Sequence, residues 1–125
     1  MAFTSITPDV EVQPGTFAYS FTASGTILAG QAVQFAADET VKTSESGKTA
    51  EFAGVAAYDA TDGDKIAVYC GGNIVKARIS GTWSAGTPII PEAGGYFKSG
   101  SKTERVGTIV KAASSKGGIG YVLLL

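Results

Sequence analysis

Short apolar runs alternate with turn-forming residues along the whole chain, at a spacing typical of β-strands. Phe17, Tyr19 and Phe21 alternate with small or polar residues, which predicts a strand with one aromatic face. Ala29-Gly30 and Ala85-Gly86 mark tight turns, and a short apolar strand follows each turn. No segment combines a helical period with helix caps. The pattern therefore predicts about ten short strands and no helix.

The central part of the sequence occurs twice. Residues 24–33 match residues 80–89 in their Ser-Gly-Thr start and their Ala-Gly turn. Further matches join residues 39–43 with 95–99, 54–57 with 107–110 and, within a slip of one residue, 65–69 with 118–122. Because lone hairpins are only marginally stable, we predict an all-β fold: a small barrel or sandwich built from two repeated β-units, at about residues 24–70 and 80–125.

The first 22 residues differ from the repeated part. Apolar and polar residues alternate there without a hairpin partner nearby, and Pro8 and Pro14 favour extended geometry. We predict that residues 1–22 form an extended N-terminal arm and a lead-in strand, followed by a single β domain over residues 23–125. The alternative is that this segment forms an edge strand of the main sheet.

Two other segments carry specific predictions. Gly71-Gly72 separates two apolar runs and predicts a two-residue hairpin, since glycine tolerates positive φ at both positions. The apolar run over residues 122–125 predicts a last core strand, partly at a subunit interface, because an exposed apolar strand invites aggregation.

Charge is sparse and unevenly distributed. Charged residues make up 17% of the chain, below the ~25% that is usual in globular proteins, and the net charge is −1. Residues 1–64 hold nine acids against two lysines, whereas residues 65–125 hold eight bases against two acids. If the two halves occupy different sides of the fold, the subunit is a charge dipole suited to head-to-tail contacts in rings. If the strands of the halves mix in one sheet, the charges average out.

Little in the sequence suggests catalysis. The chain has no histidine, so it lacks the usual acid–base catalyst at neutral pH and the commonest metal ligand. Cys70, the one cysteine, lies in an apolar run and is predicted to be a small core residue. Asp59, Asp62 and Asp64 lack the spacing of an EF-hand loop, which favours a solvated turn over a calcium site. We predict no enzyme activity and no catalytic, metal-binding or cofactor-binding residues.

Composition also argues against nucleic acid and membrane partners. The small net charge gives no overall field to attract nucleic acid, and aromatic residues at strand spacing are more often core than base-stacking residues. No stretch approaches the ~20 apolar residues of a membrane-spanning helix, and no signal peptide is evident. We therefore expect a cytoplasmic product.

Glycines and apolar strands form a pattern that resembles a known family. Its parts are residues 54–57, 62–69, 71–75, 107–113 and 121–123, together with the Ala-Gly turns before Val33 and Ile89. Over about residues 20–125 this pattern resembles the small capsid decoration (cement) proteins of tailed bacteriophages, including the decoration family long labelled a domain of unknown function. The resemblance implies a β-rich knob, often a homotrimer, that is made in the host cytoplasm and sits on the outer surface of an assembled shell. It also implies contacts that link major capsid protein subunits.

The resemblance gives the N-terminal arm a role, because such arms often run along the shell. Under this hypothesis the apolar anchors of the arm are the capsid-contact residues Phe3, Ile6, Val10 and Val12. Two alternatives stay open. One is another virion part, such as a fibre or tail module. The other is a carbohydrate- or surface-binding β-module, which would need Trp83, Tyr96 and Phe97 on one exposed face.

Overall fold

The protein consists of short strands joined by tight turns. The computed structural model describes residues 18–125, which are all-β apart from one 3₁₀ turn at Thr49–Glu51. The ten strands of this part are β1 (Ala18–Ala23), β2 (Ala32–Ala37), β3 (Thr40–Thr43), β4 (Phe52–Ala56), β5 (Lys65–Tyr69), β6 (Ile74–Arg78), β7 (Pro88–Glu92), β8 (Tyr96–Ser99), β9 (Gly107–Lys111) and β10 (Ile119–Leu124). The prediction of an all-β fold is confirmed.

Each half of the described chain forms its own sheet. Strands β1–β5, here called the first unit, form a closed barrel in the order β1-β3-β2-β4-β5. Strands β6–β10, the second unit, form a five-stranded sheet in the order β6-β10-β9-β7-β8. Strands of the two halves therefore do not mix in one sheet, and the charge asymmetry of the sequence becomes an asymmetry of the molecule.

The two units pair their strands by the same scheme, with β1–β5 corresponding to β6–β10. Val55 faces Tyr69 across β4 and β5, and Thr108 faces Leu123 across β9 and β10. Ala23 pairs with Val41 in parallel, and a parallel bridge joins Ile79 to Phe97 in the second unit. The repeated sequence thus produces repeated strand pairing, as expected if the pattern of apolar positions sets the register.

Two hydrophobic cores result, and one of them is shared between the units. The first core fills the barrel of the first unit with Ile27, Val33, Val41, Ile66 and Val68. The second core joins the outer face of β4 and β5 to the inner face of the second unit. Its larger members are Val55, Tyr69, Val75, Ile79, Ile89, Phe97, Ile109, Val122 and Leu124. Because the second core has members from both units, the units support each other directly.

A turn of the first unit completes the second unit. The backbone N–H of Arg78 on β6 donates to the carbonyl of Gly30 at 2.9 Å, and the N–H of Ala32 donates to the carbonyl of Gly95 before β8 at 2.7 Å. The turn between these two positions thus lies between β6 and β8. It satisfies backbone groups that would otherwise be open edges of the second unit.

Glycine positions test two of the turn predictions. Gly30 and Gly86 have φ values of +83° and +91°, so the Ala-Gly turns are confirmed. The hairpin predicted at Gly71-Gly72 is wrong, because β5 pairs with β1 and β4 whereas β6 pairs with β10. Both edges of β5 are occupied, so the chain must leave the first barrel at this point. The two glycines form the link between the units.

Candidate functional site

The four predicted capsid-contact residues, Phe3, Ile6, Val10 and Val12, lie outside the described residues. Their role stays a prediction. The described part of the chain begins at Ala18, the first residue of β1 in the first unit.

An aromatic patch lies beside this starting point. The rings of Phe21 on β1 and Phe35 on β2 meet edge to face, with their centroids 5.6 Å apart. Tyr19 precedes Phe21 by two residues on the same side of β1, and its side chain is 61% exposed. The predicted aromatic face of this strand is therefore present in its described residues, Tyr19 and Phe21. Exposed aromatic side chains of this kind are enriched in protein–protein contacts.

A second exposed patch lies on the outer side of β6, β10 and β9. Tyr121 on β10 pairs with Lys76 on β6 and with Lys111 on β9, and the Lys111 ammonium lies 5.4 Å from the centre of the Tyr121 ring. Together with Ile119 and Leu123 these residues form what we call the basic face. A shallow pocket of about 450 Å³ opens among its lysines and Tyr121. A lysine over an aromatic ring is weakly attracted to it, which helps to hold both side chains in place.

The basic face as a whole was not predicted from the sequence, although its residue Leu123 lies in the run over residues 122–125 that was predicted to lie partly at a subunit interface. β10 is apolar on both sides: Val122 and Leu124 are buried, whereas Ile119 and Leu123 are 45% and 36% exposed. A strand that is apolar on both faces is typical of a strand covered on both sides. Within the described part of the chain, one side of β10 is buried and the other is exposed.

The loop after β4 carries three carboxylates, and each binds backbone. Asp59 accepts a hydrogen bond from the Ala29 N–H at 2.8 Å, and Asp62 accepts one from the Gly25 N–H at 2.8 Å. Asp64 accepts bonds from the N–H and the hydroxyl of Thr61, and these bonds lower the pKa of Asp64. The carboxylates therefore fix the turn. Among residues 18–125, no three His, Cys, Asp or Glu side chains are grouped to hold a metal ion.

Cys70 offers little for catalysis. Its side chain is half-buried against the core of the first unit, and this burial raises the pKa of the thiol. A raised pKa disfavours the thiolate, which is the nucleophilic form. In the described part of the chain, no helix is long and apolar enough to span a membrane.

The three aromatic residues required by a carbohydrate-binding module do not share an exposed face. Phe97 is fully buried in the shared core and packs edge to face on Phe52, with ring centroids 5.7 Å apart. Trp83 is half-buried against the same core. The side chain of Phe97 points from β8 into the core. Because it is fully buried there, it cannot stack on a sugar. The geometric condition for this alternative is therefore not met.

The fold and these surfaces define a protein of two linked β-units with exposed contact patches. A search among curated proteins finds no match. Among solved structures, the chain is similar to the N base of the head fibre protein gp8.5 of bacteriophage phi29, with a TM-score of 0.64 and 14% sequence identity. The alignment covers 88% of this chain and 94% of that chain, and at this identity it shows the shared fold.

The family follows from the sequence itself. The family model described as phage cement protein matches residues 12–124, which is most of the chain. The chain belongs to the phage cement protein family. It is a capsid decoration, or cement, protein and a component of the phage virion. The predicted resemblance to decoration proteins is confirmed.

Proposed function

We propose that this cement protein binds the outer surface of an assembled shell, contacts the major capsid protein there and stabilises the contacts between capsid subunits. The family match over residues 12–124 is the observation that carries this proposal. Any protein that binds the assembled shell better than its free subunits stabilises the shell by mass action. Many weak contacts repeated by symmetry also add through effective concentration. Neither effect needs a catalytic step, and we propose that the protein acts without one.

The test is to strip the protein from purified particles with a mild chaotrope and then to add back the purified chain. We expect a copy number comparable to that of the major capsid protein, and a higher temperature of shell disruption after the chain is restored. A handful of copies per particle would instead identify a fibre or tail part. Rebinding without any change in the disruption temperature would contradict the stabilising role.

We further propose that residues 1–22 act as an arm with a lead-in strand, and that residues 23–125 act as one β domain. In this arrangement Phe3, Ile6, Val10 and Val12 anchor the arm on the shell. β1 pairs with β3 and β5 through residues 18–23, so the barrel of the first unit is closed by described residues alone. This supports an arm that is available to a partner. An extended arm also buries more partner surface per residue than a globular surface does.

Deletion of residues 1–16 should leave a folded protein that binds shells poorly. We expect an unchanged circular dichroism spectrum and a loss of shell binding of about tenfold or more, because several apolar anchors are removed together. Binding to stripped particles is measured by co-sedimentation. A matched variant keeps the length and changes only Ser5→Ala and Thr7→Ala, which should bind normally. Undiminished binding of the deleted chain would exclude the arm, and unfolding of the deleted chain would assign residues 1–16 to the barrel.

Finally, we propose that the protein works as a homotrimer. The separation of acidic and basic residues into two units supports contacts between unlike surfaces of neighbouring copies. Such head-to-tail contacts give closed rings when the rotation between copies returns to its start. Sedimentation velocity of the full chain tests this proposal.

A further inference from the structure

The two units use the same outer face in different ways. In the first unit, Val55, Ala57 and Tyr69 on this face are at most 2% exposed, because the second unit covers them. The corresponding positions of the second unit are Thr108, Val110 and Leu123. Val110 is 41% exposed and Leu123 is 36% exposed. Among residues 18–125, the second unit therefore leaves exposed the face that is buried in the first unit.

A repeat of the internal junction on this exposed face would lose two of its polar contacts. In the first unit the Ala32 N–H donates to Gly95, and the Ser44 hydroxyl donates to the Glu92 carbonyl at 2.6 Å. The equivalent positions in the second unit are Pro88 and Gly100. Proline has no N–H and glycine has no hydroxyl, so both polar contacts are lost. A partner for this face must replace these two contacts with others.

The chemistry of the basic face is cationic and apolar. Lys76 and Lys111 flank Tyr121 in the centre, and the exposed side chains of Ile119 and Leu123 lie on either side of Tyr121 along β10. The second unit has only two acids, Glu92 and Glu104, and neither lines the pocket of this face. Tyrosine and apolar side chains are typical of the core of a protein interface, whereas lysines belong to its polar rim, where they guide the choice of partner.

The first unit carries the complementary chemistry. Residues 18–70 hold seven acids and three lysines, whereas residues 71–125 hold seven bases and two acids. Asp59, Asp62 and Asp64 are exposed on one loop, beside the exposed side chains of Leu28 and Tyr58, which are 38% and 42% exposed. We call these five residues the acidic end. It offers carboxylates and apolar surface together, as a partner of the basic face requires.

We propose that the basic face of one copy binds the acidic end of a second copy, and that this contact is the head-to-tail interface of the oligomer. The inference rests on the proposed self-association and names its two surfaces. Because the two surfaces differ, each copy donates one and accepts the other, and a ring forms when the last copy meets the first.

Charge reversal in the full-length chain tests the contact. We expect the double variant K76E/K111E to weaken self-association at least tenfold in sedimentation velocity, because two attractive charges become repulsive. The matched variant K98E/K102E makes the same change in net charge elsewhere on the second unit and should associate like the wild type. D59N/D62N/D64N keeps the acceptor oxygens that hold the loop but removes its charge, and it should weaken association as well. Raising the salt concentration should also weaken self-association of the wild type, because salt screens the exposed charges.

Zero-length carbodiimide coupling gives a direct readout in a mixture of ¹⁴N- and ¹⁵N-labelled chains. We expect amide cross-links between Lys76 or Lys111 of one label and Asp59 or Asp62 of the other. An oligomer that persists in K76E/K111E, or the absence of mixed-label cross-links at these residues, would overturn the inference while leaving self-association intact. A wild-type chain that stays monomeric would overturn both the proposed interface and the proposed self-association. The proposed binding to the shell would not be contradicted by that result. Loss of shell binding in K76E/K111E with an unchanged oligomer would assign the basic face to the shell instead.

Discussion

The two units share one pairing scheme but close in different ways. In the first unit β1 pairs with β3 at two positions, Thr22 with Thr40 and Ala23 with Val41, and the barrel closes on itself. In the second unit a single bridge joins Ile79 to Phe97, and a turn of the first unit fills the rest of the gap. The barrel of the first unit is therefore closed by its own strands, whereas the sheet of the second unit is completed by a turn of its neighbour. Two copies of one sequence pattern therefore form units whose sheets are closed in different ways.

The largest effect is expected when the buried side chain at one equivalent position is truncated to alanine in each core. Val41 and Phe97 are equivalent and both are fully buried, but Phe97 belongs to the shared core. We expect Phe97→Ala to cost about 3–5 kcal/mol, because it leaves a cavity and removes the contact with Phe52. Val41→Ala should cost about 2 kcal/mol, because fewer methyl groups are lost. Urea unfolding, followed by fluorescence and circular dichroism, measures both costs.

The shape of the unfolding curve sharpens the comparison. If the units support each other as the shared core indicates, Phe97→Ala should lower the midpoint of one cooperative transition. Phe97→Leu is the milder control, since it keeps most of the apolar volume and should fold if the alanine variant does not. Two separate transitions, with the first unit unfolding at its wild-type midpoint, would show that the units are independent.

Much of this fold could be predicted from the sequence, because the repeat and the strand period are both local signals. The aligned glycines Gly54 and Gly107 illustrate this. A side chain at either position would lie 2.1 Å or 2.5 Å from a backbone oxygen of the neighbouring strand, at Tyr69 or Leu123 respectively. Only glycine allows the two strands to approach so closely, so the match between the copies marked equivalent structural positions.

Relations between the units could not be predicted in this way. Gly71-Gly72 has the local signature of a hairpin, but the choice between a hairpin and a link depends on whether the edges of β5 are already occupied. Similarly, the sequence shows a run of apolar residues in β10 but not which side the first unit covers. The path of the chain after β5 and the covered side of β10 both depend on long-range packing. The spacing of apolar residues along a strand contains no information on such packing. The anchors predicted in residues 1–17 remain a prediction.

A smaller effect is expected when a proline of the second unit, Pro88, is introduced at the equivalent position of the first unit, Ala32. Ala32→Pro copies Pro88, so the backbone angles of the strand should accept it, but the N–H that bonds to Gly95 is removed. Leaving that carbonyl without its donor should cost about 1–3 kcal/mol. Because Ala32 is fully buried, Ala32→Val serves as the control: it keeps the N–H and adds an apolar side chain close in size to the proline ring. The free energy of unfolding in urea measures the cost, and equal stability of the proline variant and the wild type would mean that this bond does not hold the units together.

The smallest expected effect concerns two equivalent turns, of which the turn in the first unit should depend on pH and the turn in the second unit should not. The Thr61 N–H donates to the Asp64 carboxylate at 3.0 Å, whereas the corresponding turn of the second unit has Ser115 and Gly118 and no carboxylate. Because the hydrogen bonds from Thr61 lower the pKa of Asp64, the stabilisation that they give is complete above the ordinary aspartate pKa of about 4. It is lost as the pH falls through the lower pKa of the folded state. In an NMR titration, the Thr61 amide shift should move below pH ~4, and the Gly118 amide should not follow it. Asp64→Asn should abolish the movement at Thr61. A Thr61 midpoint at or above the ordinary aspartate pKa would mean that the carboxylate does not hold this turn, and the two turns would then differ in sequence but not in how they are stabilised.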